Sequence, residues 1–276
     1  FNKLIEYYDG YHFSENKASI FNPFSLINAL YDKKLNYYWF DSGTPSFLIK
    51  QLKRFDTNLA EIENIELPVA LLDVPATELT NAIPLLFQSG YLTIKGYDKD
   101  FEVYLIGIPN KEGRVGLSES LLPMVTKIDN ITSNSTVINF ATAIRANDLN
   151  TALEVIKAYI ASIPYDVMTK EDWEDKAKCE RFYQVLIYVM FGLFNRYTYI
   201  EVKSIRGRAD IVMFAENTVY VLEFKVDSSA EEALKQIDEK GYAIAYQDRV
   251  KGRNVVKCGI NINSKLRTID GWKIDE

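Results

Sequence analysis

The stretch Ile205-Arg206-Gly207-Arg208-Ala209-Asp210-Ile211-Val212-Met213-Phe214-Ala215-Glu216-Asn217-Thr218-Val219-Tyr220-Val221-Leu222-Glu223-Phe224-Lys225 decides how the chain is read. Two runs rich in β-branched and aromatic residues, Ala209 to Phe214 and Thr218 to Phe224, flank a turn at Glu216-Asn217, which is the pattern of a β-hairpin. In such a hairpin Asp210, near the start of the first strand, lies beside the end of the second. Glu223 and Lys225 are two apart, so their side chains leave the same face of a strand. The pattern therefore brings two carboxylates and a lysine to one end of a sheet. Close carboxylates repel unless a cation sits between them, and oxygen-only ligands favour a hard ion such as Mg²⁺ or Mn²⁺ over Zn²⁺. Spacing alone also permits a plainer reading, a surface salt bridge at a hairpin end, and the flanking sequence separates the two.

A helix rich in apolar residues is expected from about Asp175 to Asn195, with Phe182, Leu186, Val189 and Leu193 on one buried face. Tyr197 to Ser204 reads as the next strand, with Glu201 a solvent-facing or secondary acidic candidate. After the hairpin a second helix is expected from Ala230 to about Tyr242. This order of helix, strand, hairpin strands carrying D and E-x-K, and helix resembles the core of the PD-(D/E)xK nuclease superfamily. The closer resemblance is to the nuclease-like domain at the C-terminus of a bacterial family whose N-terminal half is an AAA-ATPase-like domain. It is carried by Gly207-Arg208-Ala209-Asp210, Leu222-Glu223-Phe224-Lys225, Ala230-Glu231-Glu232-Ala233-Leu234-Lys235-Gln236-Ile237 and Lys240-Gly241-Tyr242-Ala243.

The resemblance implies an α/β (α+β) fold with a restriction-endonuclease-like core at the C-terminus. It also implies Mg²⁺- or Mn²⁺-dependent hydrolysis of phosphodiester bonds in nucleic acid; DNA is the substrate we expect, and the sequence separates neither DNA from RNA nor single from double strands. Asp210 and Glu223 would hold the metal, with the main-chain carbonyl of Phe224 as a further ligand. Lys225 would orient the attacking water and neutralise developing charge. Glu180 fits the place of a metal-site Glu on the first helix, and reads equally as a first-turn Glu favoured by the helix dipole. Gln236 matches the family's Gln position and could bond the water or Lys225; its plainer reading is an exposed helix glutamine. Lys203, Arg206 and Arg208 read as a phosphate-contacting patch, and Tyr242 as a residue that stacks or hydrogen-bonds at the rim. Arg249, Lys251, Arg253 and Lys257, on a turn and the strand Asn254 to Ile262, read as backbone contacts or as a solvated face. Nothing resembles a base-reading helix.

The chain has 276 residues, 47% hydrophobic and 25% charged, ordinary for a soluble globular protein and long enough for two or three small domains. Its net charge of −6 excludes generic polyanion binding, so contact with nucleic acid must come from a local basic patch. Cys179 and Cys258 give neither a disulfide framework nor a zinc spacing, which fits a reducing cytoplasm. Phe182 to Phe194, the longest apolar run, is too short for a bilayer. No signal peptide is evident, and the opening Phe1 points to a fragment or a processed chain.

Phe1 to about Pro75 is rich in aromatics, with turn signals at Asp9-Gly10, Asn22-Pro23 and Ser42-Gly43 and helical spacing over Ser25 to Leu30 and Pro45 to Phe55. The blocks Y-D-G-Y-H-F, N-P-F-S and Y-W-F-D-S-G-T-P resemble the tail of the same AAA-ATPase-like domain, so residues 1–75 are expected to be its lid-like remnant. No G-x-x-x-x-G-K-[ST] occurs, so this chain alone is not expected to hydrolyse ATP, and the nucleotide-binding part is expected upstream. His12, the only histidine, could serve as base or ligand; with no second histidine near it, we read it as a packing or turn residue. Residues 76–163 form a winged-helix-like and helical connector: a helix over Thr77 to Gln88, strands over Tyr91 to Lys95 and Phe101 to Pro109, and a turn at Gly96 to Asp100. The wing suggests DNA contact or a connector. Helices follow over Leu117 to Ile128, Asn139 to Ile144 and Asn147 to Ser162, the last capped by Asp148. Residues 164–276 hold the nuclease-like domain. The sequence leaves the oligomeric state open.

Overall fold

The computed structural model describes residues 1–15, 18–41, 50–52, 54–55, 62–63, 65–72, 74, 80–204, 209–239 and 252–275, with backbone alone at 41, 69, 202–204, 209 and 210. Its contacts divide the chain into two compact units, Phe1–Leu121 and Leu122–Glu276.

The first unit contains α1 (Asn2–Tyr8), α2 (Pro23–Asp32), α3 (Tyr38–Asp41), β1 (Ile65–Pro68), α4 (Ile83–Gln88), β2 (Thr93–Asp98), β3 (Val103–Gly107) and the start of α5 (Lys111–Thr126). Two aromatic runs with no expected secondary structure are thus helical. The Asp9-Gly10 turn requires its glycine: Gly10 has φ +104°, and a Cβ there would collide with the carbonyl oxygen of Pro109. Asn22 caps α2 by accepting from Ser25 N, with Pro23 at the first turn. Glu112, fully buried, accepts from Ser25 Oγ at 2.9 Å and Trp39 N at 3.0 Å, which ties α2 and α3 to α5.

The wing differs from expectation in two ways. Its strands belong to a three-stranded antiparallel sheet of order β1-β3-β2. Gly96 and Tyr97, expected in the turn, continue β2 past a register shift between Ile94 and Gly96. The turn lies beyond, where Asp98 Oδ1 accepts from the amides of Asp100 (2.9 Å) and Phe101 (3.1 Å). The short polar side chain stabilises a tight turn that the glycine does not need to make. Helix α4 begins at Ile83 with Pro84 in its first turn, so residues 80–82 of the helix expected over Thr77 to Gln88 precede it; 77–79 lie outside the described residues, as do 42–49. His12 is half-buried and held by local and cross-chain bonds: its Nδ1 lies 3.1 Å from Gly10 O, and its amide donates to Thr93 Oγ1 at 2.7 Å.

The second unit contains α6 (Asn130–Arg145), α7 (Leu149–Ala161), α8 (Lys170–Glu174), α9 (Lys176–Phe194), β4 (Tyr199–Ser204), β5 (Ala209–Phe214), β6 (Thr218–Val226), α10 (Ala230–Glu239), β7 (Asn254–Asn263) and β8 (Thr268–Asp275). The five strands form one sheet of order β4-β5-β6-β7-β8, antiparallel except for β6 and β7, which α10 joins as a crossover. Strand β8 was not expected. Asp-Gly is a dipeptide common in turns, yet here Asn261 Nδ2 (2.8 Å) and Asn263 Nδ2 (3.0 Å) both donate to the Asp270 carboxylate and hold it within the strand.

Helix α9 starts at Asp175, whose carboxylate accepts from Ala177 N and Lys178 N. One buried face was expected, yet every residue from Leu186 to Phe194 is buried. The reason is packing on both sides: Phe140 of α6 stacks on Phe194 at 4.2 Å between ring centres, while Phe191 meets Phe224 of β6 edge-on at 5.8 Å. Burying such a ring contributes roughly 2 kcal/mol. Among the described residues, no helix is long and apolar enough to cross a membrane.

Candidate active site

Strand alternation assigns each β6 residue to a face. Val221 packs with Ile237 of α10, whereas Phe224 meets Phe191 of α9. Glu223 and Lys225 alternate with Phe224 and so share the α10 side with Val221. The hairpin register pairs Asp210 with Glu223, and directly opposed residues of an antiparallel pair lie on one face. The row extends across the sheet as Lys203, Asp210, Glu223, Gly259 and Lys273, one residue per strand. The expected meeting of D and E-x-K at one strand end is therefore present in the backbone.

Glu223 is fully buried, and Gln236 Nε2 donates to its Oε1 at 2.5 Å. Gln236 is itself 8% exposed, so the plainer reading of an exposed glutamine does not hold. The helix that carries it forms for local reasons. Ser229 Oγ accepts from Glu232 N at 3.1 Å to cap its start. Ala230, Ala233, Gln236 and Ile237 make a buried stripe, opposite Glu231, Glu232, Lys235, Asp238 and Glu239. Lys225 is half-buried at the same strand end.

Glu180 stands elsewhere. It pairs with Lys176 at 3.7 Å and borders a shallow cleft with Tyr183, Gln184, Ile187, Phe224, Val226 and Ile262. Phe224 and Val226 belong to the α9 side, so Glu180 and Glu223 flank β6 from opposite faces. Tyr199 OH donates to Glu201 at 3.2 Å on the exposed edge strand. Lys257 is engaged by Asp238 (2.7 Å) and Asp275 (3.0 Å), an ion-pair cluster that fastens α10 to β7 and β8 rather than a free phosphate contact. Arg206, Arg208, Tyr242, Arg249 and Lys251 lie outside the described residues, as do the side chains of Lys203 and Asp210.

Two residues of this region carried no expectation. Gly259 neighbours Glu223 in the ladder, and Asn261 neighbours Lys225 while its Oδ1 accepts from Ser228 N at 2.9 Å, just before α10. The signal was present: a glycine inside the alternating run C-G-I-N-I-N marks a close backbone approach.

A five-stranded mixed sheet with a helix on each face, and the D and E-x-K positions on adjacent strands, make a mixed α/β core of the kind the sequence leads one to expect. Residues 178–272 match the profile described as the PD-(D/E)XK nuclease superfamily, so the chain carries a domain of that superfamily there. Over 282 aligned residues the chain is 27% identical to a protein of Azotobacter chroococcum mcd 1 described as an uncharacterized protein in the vnfD 5' region; the alignment takes in 99% of this chain and 52% of that protein. The chain thus spans about half the length of the curated relative it matches.

Such nucleases typically use divalent metals, and the donors here fit one. Two carboxylate positions opposed on one face offer oxygen ligands alone, and burial of Glu223 favours a compensating positive charge. Among the described residues no cluster of three His, Cys, Asp or Glu side chains is present; the Asp210 carboxylate lies outside that set.

Proposed function

We propose that the C-terminal domain hydrolyses phosphodiester bonds in nucleic acid, with DNA as the substrate, using Mg²⁺ or Mn²⁺ held by Asp210 and Glu223. The observation that carries this is the Gln236 bond to a buried Glu223 in register with Asp210. When bound, the cation supplies charge neutralisation at the phosphate and a lowered pKa for a coordinated water. The protein's own groups do the rest. Gln236 holds Glu223 in one orientation. The Phe224 carbonyl lies between the two E-x-K side chains in sequence and can add an oxygen. Lys225 offsets charge growing on the phosphate oxygens, an effect typically worth about 3–4 kcal/mol. Lys203, Arg206 and Arg208 serve in this reading as the phosphate-contacting residues, and Tyr242 as the one that stacks on or hydrogen-bonds the substrate. Glu180 borders the same strand end from the other face, and in this reading metal ligation rests on Asp210 and Glu223.

The test is cleavage, with Mn²⁺, of a panel of single-stranded, duplex and branched DNA and of RNA. The intact chain should cut DNA, and Glu223→Gln should lower the rate by roughly 10²–10³-fold or more. An intact chain that cuts nothing in the panel would count against the proposal.

A second reading, a non-catalytic scaffold or partner-binding unit, is favoured by α2. Phe24, Ile27, Leu30 and Tyr31 of this helix are 48–86% exposed and form a contiguous apolar arc. In that reading residues 1–75 are the lid-like tail of an AAA-ATPase-like domain whose nucleotide-binding core is not in this chain. Tight ATP binding by this chain alone would contradict it.

A further inference from the structure

Position 259 of β7 is the register partner of Glu223 and faces α10. The helix occupies the space that a side chain there would fill. A Cβ on Gly259 would fall within the van der Waals radii of the Ala230 carbonyl oxygen and the Leu234 amide nitrogen, and 3.0 Å from Ala233 Cβ. The first two are main-chain atoms, which cannot swing aside as the end of a side chain can. Any larger residue at 259 must therefore lift the helix. Other supports also hold α10: the Ser228 N bond to Asn261 Oδ1 at its entry, the packing of Ile237 and Leu234 with Val221 and Val255, and the ion pair of Asp238 with Lys257. Gln236 sits one turn past the contact at Ala233, on the same buried stripe, and reaches Glu223.

We propose that Gly259 is a positioning residue of the candidate metal site: its missing side chain sets the height of α10 above the sheet and so fixes Gln236 against Glu223. The consequence for metal binding rests on the nuclease reading, whereas the geometry does not. Groups one step removed from a metal ligand commonly change affinity by about 10–100-fold when mutated. Relieving the main-chain overlaps at 259 takes a lift of about an ångström, which carries a donor now at 2.5 Å to the limit of hydrogen-bond range.

The experiment has one arm without metal and one with it, both on the full chain. In metal-free protein, NMR should show the Gln236 side-chain amide protons protected from exchange and an NOE between Gly259 Hα and the Leu234 amide proton. In Gly259→Ala the Gln236 protection should be lost. In the Mn²⁺ titration, Gly259→Ala and Gln236→Ala should each bind roughly 10–100-fold more weakly than the intact chain, and the double variant no more weakly than either single one. Unchanged Gln236 protection in Gly259→Ala, or fully additive losses in the double variant, would overturn the proposal. If the intact chain binds no Mn²⁺, the nuclease reading fails while the amide-protection arm still decides the role of Gly259. If Gly259→Ala does not fold, the NOE in the intact chain decides, and its absence overturns the proposal.

Discussion

Gln236 Nε2 lies 2.5 Å from Glu223 Oε1, so an amide on one helix is bonded to a carboxylate wholly removed from solvent. A buried polar group needs partners, and each one removed is costly because water cannot replace it. Gln236→Ala should therefore destabilise the metal-free protein by about 2 kcal/mol. Urea unfolding in the presence of a chelator measures this directly. A variant with an unshifted midpoint would show that the bond contributes nothing to Glu223.

Two helix caps predict a pH dependence. Asp129 at the start of α6 accepts from Thr132 N and Thr132 Oγ1, both at 2.9 Å, and Asp148 at the start of α7 accepts from Thr151 N at 2.9 Å and Thr151 Oγ1 at 2.6 Å. The Thr132 amide and then its hydroxyl hold Asp129 below the ordinary value of 3.8, and the Thr151 hydroxyl and then its amide do the same for Asp148. A depressed folded pKa means that the stabilisation is fully present above the unfolded value and is lost as pH falls through the folded one. Thermal unfolding followed from about pH 6 down to about pH 3 should show Tm falling more steeply below about pH 4 in the parent than in Asp129→Asn/Asp148→Asn. Parallel curves would contradict it.

The two thiols should be inert in the native state. Burial pushes Cys258 up to about 12 and raises Cys179 as well, so both remain protonated near pH 8. Both are also shielded, at 0% and 1% exposure. An aromatic disulfide reagent should label neither thiol in native protein and both after guanidinium unfolding. Rapid labelling of either in the native state would contradict the packing of α9 or β7.

How far the sequence could be read depended on how strongly each element announced itself. The hairpin of β5 and β6, helix α9 and the Asp148 cap were legible because their residues carry local signals: β-branched runs around a turn, a long apolar helix, and an Asp three before a Thr. Strand β1 is four residues long and ends in a proline, so it has no period to detect; its partner β3 supplies the hydrogen bonds. Strand β8 hid behind Asp270-Gly271, a turn signal cancelled by two asparagines from the neighbouring strand. Helix α1 lay in an aromatic run whose burial depends on contacts distant in sequence, such as Tyr8 OH donating to Asn36 O at 2.8 Å.

For the site, spacing alone placed Glu223 and Lys225 on one face and put Asp210 beside them. Periodicity could not show that Gln236 is buried, since α10 reads as a charged surface helix until its seat on Gly259 is known. Nor could sequence position assign Glu180 to a face. That depends on α9 lying on the side of β6 that carries Phe224.

The central claim is that Asp210 and Glu223 together bind a hard divalent cation, and calorimetric titration with Mn²⁺ tests it most directly. The intact chain should bind the ion, and Asp210→Asn and Glu223→Gln should each abolish binding while keeping the parent's secondary structure by circular dichroism. An intact chain that binds no Mn²⁺, or binding that survives in both variants, would contradict the account.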